Sequence, residues 1–314
     1  GSDALLARLN LIRSARERID LQTYIFDKDD SARLVLDELL AAARRGVKVR
    51  VLIDQLSAIA DLEILAALSG SHRNFSIRIY NPSFGKAKLN YLDYAGSVLC
   101  CFRRFNQRMH TKLLLVDGTV GVTGGRNIQD RYFDWGESYN YRDRDILVAG
   151  PIAAAMKENF EAFWTFEQSH PAYALKDVAE RLIREGGVPG HRLLDPARER
   201  SPRVLAMAEA VTDGAAVYER LAPLTLPVGR VDFFADLPEK HVGEQPAHED
   251  ASRAMRDLVD SSRDELVMQT PYLVLSRPAR KLFREMHARP DPPEVIVSTN
   301  SLAATDAFPV YAMS

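Results

Sequence analysis

The sequence has only two cysteines in 314 residues, and they are neighbours, Cys100 and Cys101. Adjacent cysteines rarely meet disulfide geometry, so no disulfide is expected, and one such pair excludes a disulfide framework and a C-x-x-C zinc site. Cysteine usage is therefore silent about redox compartment. Long apolar runs are lacking too: none approaches the roughly 20 residues of a membrane-spanning helix. Nor is there an excess of one charge, because 41 basic side chains face 43 acidic ones for a formal net charge of −2. Generic electrostatic binding of nucleic acid usually needs a basic chain, so only a local basic site remains open. What is present, 46% hydrophobic and 27% charged residues, is globular and excludes a disordered chain. The length corresponds to about two domains. Gly1-Ser2 reads as a cleavage scar, which leaves any signal or anchor ahead of it undetermined.

Residues 1–167 alternate strand and helix signals. Ile19 to Phe26 and Val47 to Ile53 read as strands, the second with Val47, Val49, Val51 and Ile53 alternating. Between them Asp30 and Ser31 can cap a helix with Leu36, Leu39, Leu40 and Ala43 on one face, and Gly46 stops it. A helix from Ala58 to Leu68 and a strand from Ser76 to Tyr80 follow. Asn81 to Met109 reads as loop-rich. Thr111 to Val116 and Thr119 to Thr123 are short strands joined by Asp117-Gly118, a hairpin signal. Asp145 to Val148 is another strand, and Pro151 suits the first turn of a helix carrying Met156, Phe160 and Phe163. Such alternation favours an α/β fold with a mixed, mostly parallel sheet flanked by helices.

Residues 168–227 read as a charged helical connector, and Gly243 to His248 as a polar loop. An internal repeat then starts near residue 228. Arg18 to Tyr24 (RIDLQTY) resembles Arg263 to Tyr272 (RDELVMQTPY), and each precedes a helix and then a strand. The domain organisation expected is therefore a complete unit at 1–167, a connector at 168–227 and the start of a second, incomplete unit at 228–314.

The chemistry concentrates around His110-Thr111-Lys112. Alternate side chains of a strand share a face, so His110 and Lys112 can touch one substrate group. Asp117 has the opposite parity and suits a role in fixing the turn. Thr123-Gly124-Gly125-Arg126-Asn127 adds glycines that let backbone amides approach an anion, and an amide side chain. Together these groups make a phosphate site. Lys112 and Asn127 would offset phosphodiester charge, each donor being worth on the order of 3 kcal/mol. His110 would attack phosphorus, dividing one hard displacement into two easier ones. That needs a neutral imidazole oriented by an acid, for which Asp143 is the first choice and Asp145 the second. A second, protonated group must serve the leaving alkoxide. The basic, aromatic run from Phe102 to Arg108 leads straight into His110 and could grip a headgroup or a nucleic-acid phosphate.

His110-x-Lys112-x4-Asp117-x6-Gly124-Gly125-x-Asn127 resembles the signature of the phospholipase D superfamily. Leu21 to Ile25, Asn106 to His110, Gly124 to Ile128 and Thr299 to Asp306 resemble the bacterial C-type cardiolipin synthases. The resemblance implies two α/β units about a pseudo-two-fold axis, sharing one active site that uses no metal and no cofactor. It implies catalytic roles for His110, Lys112, Asn127, Asp143 and Asp117. Gly124, Gly125, Arg108 and Tyr24 would contact substrate. The substrates implied are phospholipids, phosphatidylglycerol or phosphatidylethanolamine, met at a bacterial membrane surface; nucleic acid is the weaker candidate.

Of the seven histidines, only His110 is followed by x-Lys. The spacing from Gln22 to His110, applied to Gln269, runs past Ser314. A second motif is thus expected from a C-terminal half or a second chain, and the 314 residues alone are expected to be inactive. The competing readings are a nucleic-acid phosphodiesterase using the same residues and a non-catalytic assembly fragment.

Overall fold

The computed structural model describes residues 1–57, 61–186, 199–238 and 247–301. The chain divides into two compact units, residues 1–243 and 244–314. The first is built on seven strands: β1 (Arg18–Thr23), β2 (Lys48–Asp54), β3 (Phe75–Tyr80), β4 (Leu113–Val116), β5 (Val120–Gly124), β6 (Asp145–Ala149) and β7 (Ser169–Pro171). Their order across the sheet is β6-β5-β4-β1-β2-β3-β7. Only β1 with β2 and β2 with β3 pair in parallel, while the other four pairings are antiparallel. The sheet is mixed, and the expectation of a mostly parallel one is corrected. The cause is local. Asp117 and Gly118 both take positive φ, 52° and 65°, the hairpin geometry that reverses β4 into β5. β6 and β7 then return antiparallel on the two edges.

Among the described residues eight α-helices accompany this sheet: α1 (Ser2–Ser14), α2 (Asp30–Arg44), α3 (Leu62–Ser69), α4 (Tyr91–Phe105), α5 (Ile152–Thr165), α6 (Lys176–Arg184), α7 (Pro202–Ala210) and α8 (Gly214–Leu221). Strand parity divides the core into two. Leu114 and Val116 join Ile19, Leu21, Val49 and Val51 under Leu5 and Leu9 of α1, Leu39 of α2 and Ile64 of α3. Leu113 and Leu115 point the other way, onto Met156, Phe160 and Phe163 of α5. Leu39 is fully buried, so truncating it to Ala would cost about 2–5 kcal/mol. Val178 of α6, Val204 of α7 and Val217 of α8 also join the first core.

Several local expectations change. α1 covers a segment the periodicity did not reveal. α4 replaces the middle of the loop-rich stretch, and a reciprocal cap starts it: Asn90 accepts the Asp93 amide while Asp93 accepts the Asn90 amide. Asp29, rather than Asp30 or Ser31, caps α2 through the Ala32 amide. α3 begins at Leu62, and Ala58 to Ala60 lie outside the described residues. Cys100 and Cys101 are joined as a vicinal disulfide, correcting the expectation of none. The backbone makes this feasible, because Cys101 leaves helical geometry at φ −144°, ψ 35°.

The second unit holds α9 (Ala247–Asp260), β8 (Glu265–Thr270), α10 (Arg277–His287) and β9 (Glu294–Thr299). β8 and β9 are parallel, with Gln269 opposite Ser298, just as Gln22 of β1 stands opposite Leu52 of β2. The repeated sequence thus corresponds to a repeated strand–helix–strand unit. Ala247 and His248 open α9 rather than close a loop, and 243–246 and 302–306 lie outside the described residues.

Candidate active site

The segment before β4 carries the imidazole. Asp54 ends β2, fully buried, and its two oxygens are both committed. Oδ1 takes Arg108 Nη1 at 3.1 Å and the Leu56 amide at 3.0 Å; Oδ2 takes the Met109 amide at 3.0 Å. Burial pushes the Asp54 carboxyl up, against the opposing pull of Arg108 and the Met109 and Leu56 amides. Asn81 donates to the carbonyls of Arg104 and Gln107 at 2.7 and 2.8 Å. The end of α4 and the approach to His110 are therefore fixed to the ends of β2 and β3. Sequence reasoning missed Asp54 and Asn81; the available signal was a polar residue closing each of two apolar strands.

His110 is exposed, whereas Lys112 is buried. Lys112 Nζ lies 2.9 Å from His110 Nδ1, 3.4 Å from Nε2 and 2.7 Å from the His110 carbonyl. An ammonium on Nδ1 makes that nitrogen the acceptor. Burial pushes the Lys112 ammonium down to about 8, with Asp143 pulling it back up. The Tyr24 ring lies 4.8 Å from the imidazole centroid, and Lys112 Nζ lies 5.7 Å from the centre of the Tyr24 ring. Thr123 at the end of β5 donates to the Lys112 carbonyl at 2.9 Å. The expected parity is thus realised just ahead of β4, where His110 and Lys112 meet although neither lies in the regular strand.

Asn127 is buried and doubly engaged. Its Oδ1 accepts the Ile25 amide at 3.0 Å and its Nδ2 donates to the Tyr132 hydroxyl at 2.9 Å. It thereby ties the loop after β1, with Tyr24, to the loop after β5. The Asp143 carboxylate lies directly against Gly125, so a Cβ there would sit about 2.1 Å from Oδ1. A Cβ at Gly124 would strike the Arg144 carbonyl and Asp145. Both glycines have a steric reason in the close approach of β6. Asp145 is held by Arg8 at 2.9 Å and Arg126 at 3.2 Å.

Two expected site residues stand elsewhere. Asp117 closes the far end of β4, roughly 15 Å along the chain from Lys112 at strand rise. There it accepts the amides of Arg16, Glu17 and Arg18 at 2.9, 2.9 and 2.8 Å. Arg108 is turned inward onto Asp54 and the Phe105 ring. The structure therefore gathers His110, Lys112 and Tyr24, with Asp143, Gly125 and Asn127 around them. Among the described residues no group of three or more His, Cys, Asp or Glu side chains is placed to hold a metal ion.

Residues 9–164 match the family described as cardiolipin synthase, PLD-like domain. An uncharacterized protein of Helicobacter pylori strain J99 is 32% identical over 99% of this chain and 60% of its own length. Cardiolipin synthase C of Escherichia coli K12 is 31% identical over 99% of this chain and 63% of its own length. The chain thus spans about three fifths of these curated relatives. A crystal structure of phosphatidylserine synthase from Haemophilus influenzae Rd KW20 superposes with a TM-score of 0.56 at 16% identity, covering 94% of this chain and 59% of that one. That likeness concerns the fold. Residues 9–164 of the chain thus form a phospholipase D-like domain of the cardiolipin synthase family.

Proposed function

We propose that the full-length protein is a phosphatidyltransferase that makes cardiolipin from phosphatidylglycerol and a second phospholipid, through a phosphohistidine at His110. The observation that carries this reading is the exposed His110 ring in contact with the buried Lys112 ammonium. Lys112 covers an imidazole lone pair. Handing its hydrogen bond to a phosphate oxygen would both expose that lone pair and offset the charge that repels a nucleophile. The imidazole then forms the N–P bond, the P–O bond to the donor lipid's leaving headgroup alcohol breaks, and a protonated group supplies the alkoxide with its proton. In the second step an acceptor hydroxyl attacks phosphorus, the N–P bond breaks, and the same group takes the hydroxyl proton. Asp143 is proposed to orient His110, and Asn127 to hold the phosphate once its bond to Tyr132 is exchanged. Lys112 supplies the positive charge that a metal supplies in other phosphodiester enzymes.

No other histidine of the 314 residues is followed by x-Lys, so the group that protonates the alkoxide is proposed to come from outside them. The chain alone is then expected to turn over poorly. The protein would meet its substrate at a membrane surface; among the described residues no helix is long and apolar enough to cross one. The test compares wild type with His110→Asn at the relatives' full length, on mixed phosphatidylglycerol and phosphatidylethanolamine vesicles. Cardiolipin from wild type and none from the variant supports the reading. Equal synthesis by both, or cleavage of DNA with no lipid product, contradicts it.

A further inference from the structure

Helix α4 exposes an unusual face. Tyr91, Leu92 and Leu99 are 96%, 83% and 87% exposed, and Phe102 is 57% exposed. Ahead of the kink at Cys101, Tyr91, Leu92 and Leu99 fall on one side of the helix with Ala95 and Val98, which are also exposed, at positions i, i+1, i+4, i+7 and i+8. Buried Ser97 and Phe105 anchor the helix, the latter edge-on to Tyr94 at 5.1 Å. An isolated exposed leucine means little, but a contiguous apolar face on one helix marks an interaction surface.

Charge identifies what covers it. Between residues 81 and 109 five basic side chains accompany a single acid, Asp93, in a chain whose net charge is −2; Arg108 is turned inward onto Asp54, which leaves Lys86 and the exposed Lys88, Arg103 and Arg104. Asp93 is held by Lys86 at 2.8 Å. The nearby carboxylate of Asp177 accepts the backbone amides of Ala87 and Lys88. Arg103 and Arg104 are exposed in the last turn of α4. An exposed apolar and aromatic face with exposed arginines at the end of the same helix is the composition of a helix lying in the plane of a bilayer, in contact with anionic headgroups.

We propose that α4 docks the protein on an anionic phospholipid surface. Its C-terminal end is tied by Asn81 and leads within five residues to His110. The same contact therefore delivers headgroup phosphates near the imidazole; this consequence rests on the lipid reading of the site, while the docking itself does not.

The test is co-sedimentation of the 314-residue chain with vesicles of phosphatidylglycerol or of phosphatidylcholine. Wild type is expected to partition about tenfold better onto phosphatidylglycerol, falling as salt rises. Leu92→Ser with Leu99→Ser should lower that partition about tenfold, and Arg103→Gln with Arg104→Gln should lower it and flatten its salt dependence. His110→Asn should not change it. Because the serine pair could disturb folding, a Tyr91→Trp reporter gives an independent reading: brominated phosphatidylglycerol should quench its fluorescence. Equal partition of all variants, equal partition onto phosphatidylcholine, or an unquenched reporter overturns the docking. So does self-association through α4 without vesicle binding, which would make a second copy the occupant. Docking by α4 together with full turnover by His110→Asn in the full-length protein would overturn the site reading alone. No docking together with loss of turnover in His110→Asn would overturn the docking alone.

Discussion

The carboxylate of Asp54 accepts the backbone amide of Met109 at 3.0 Å, one residue ahead of His110. The same carboxylate pairs with Arg108, so one buried side chain holds the strand approach from two sides. Asp54→Asn would leave Arg108 short of its counter-charge. Breaking a buried pair by removing one partner costs about 3–5 kcal/mol, and a displaced reacting group costs on the order of 100-fold in rate. Urea unfolding and turnover per folded molecule should both fall. Lost stability with unchanged turnover would mean that Asp54 does not position His110.

Lys112 gives the site a pH signature. Burial lowers its ammonium to about 8 from an ordinary value of 10.5. Anion binding that depends on this charge should weaken as pH rises through about 8, and the decline should vanish in Lys112→Met. The linked stability runs the other way. Below pH 8 both states hold the proton and the burial penalty is full. Between about 8 and 10.5 the unfolded chain binds more protons, so stability should rise with pH. Denaturant unfolding across that window, compared with Lys112→Met, checks the sign.

Asp117 is expected to matter for stability rather than chemistry. Despite some desolvation, the amides of Arg18, Arg16 and Glu17 hold its carboxyl below the usual range. Its contribution is therefore present above an ordinary aspartate pKa and lost as pH falls through the lowered folded value. Asp117→Ala should destabilise by about 1–3 kcal/mol, allowing for partial exposure. Turnover per folded molecule should stay within a few-fold of wild type.

Gly125→Ala places a methyl where the Asp143 carboxylate lies. Asp143 must move, and with it the charge that raises the Lys112 ammonium. The Lys112 titration should shift below about 8, which NMR of labelled lysine can follow. An unchanged titration would show that Asp143 does not act on Lys112.

Much of this was legible from residue order. The period-two pattern of Val47 to Ile53, the Asp117-Gly118 turn and the His-x-Lys spacing are local, and each maps onto one element. α4 was hidden because Gly96, two cysteines and four aromatics blur a helical pattern, although Asn90 and Asp93 spell its cap. The antiparallel majority was hidden because sheet order depends on pairings far apart in sequence, such as Gln22 with Leu113. The basic run around Arg108 suggests a substrate contact; only the fold brings it to Asp54. Asn127 was read as a free donor, and the fold gives both ends of its amide partners.

The most direct test of the central claim is covalent trapping at His110. Full-length protein is mixed with phosphatidylglycerol, quenched with base to preserve an acid-labile N–P bond, digested and analysed by mass spectrometry. The account expects a phosphatidyl adduct on the peptide bearing His110, lost in His110→Asn. An adduct on another residue, or cardiolipin synthesis persisting in His110→Asn, would contradict it.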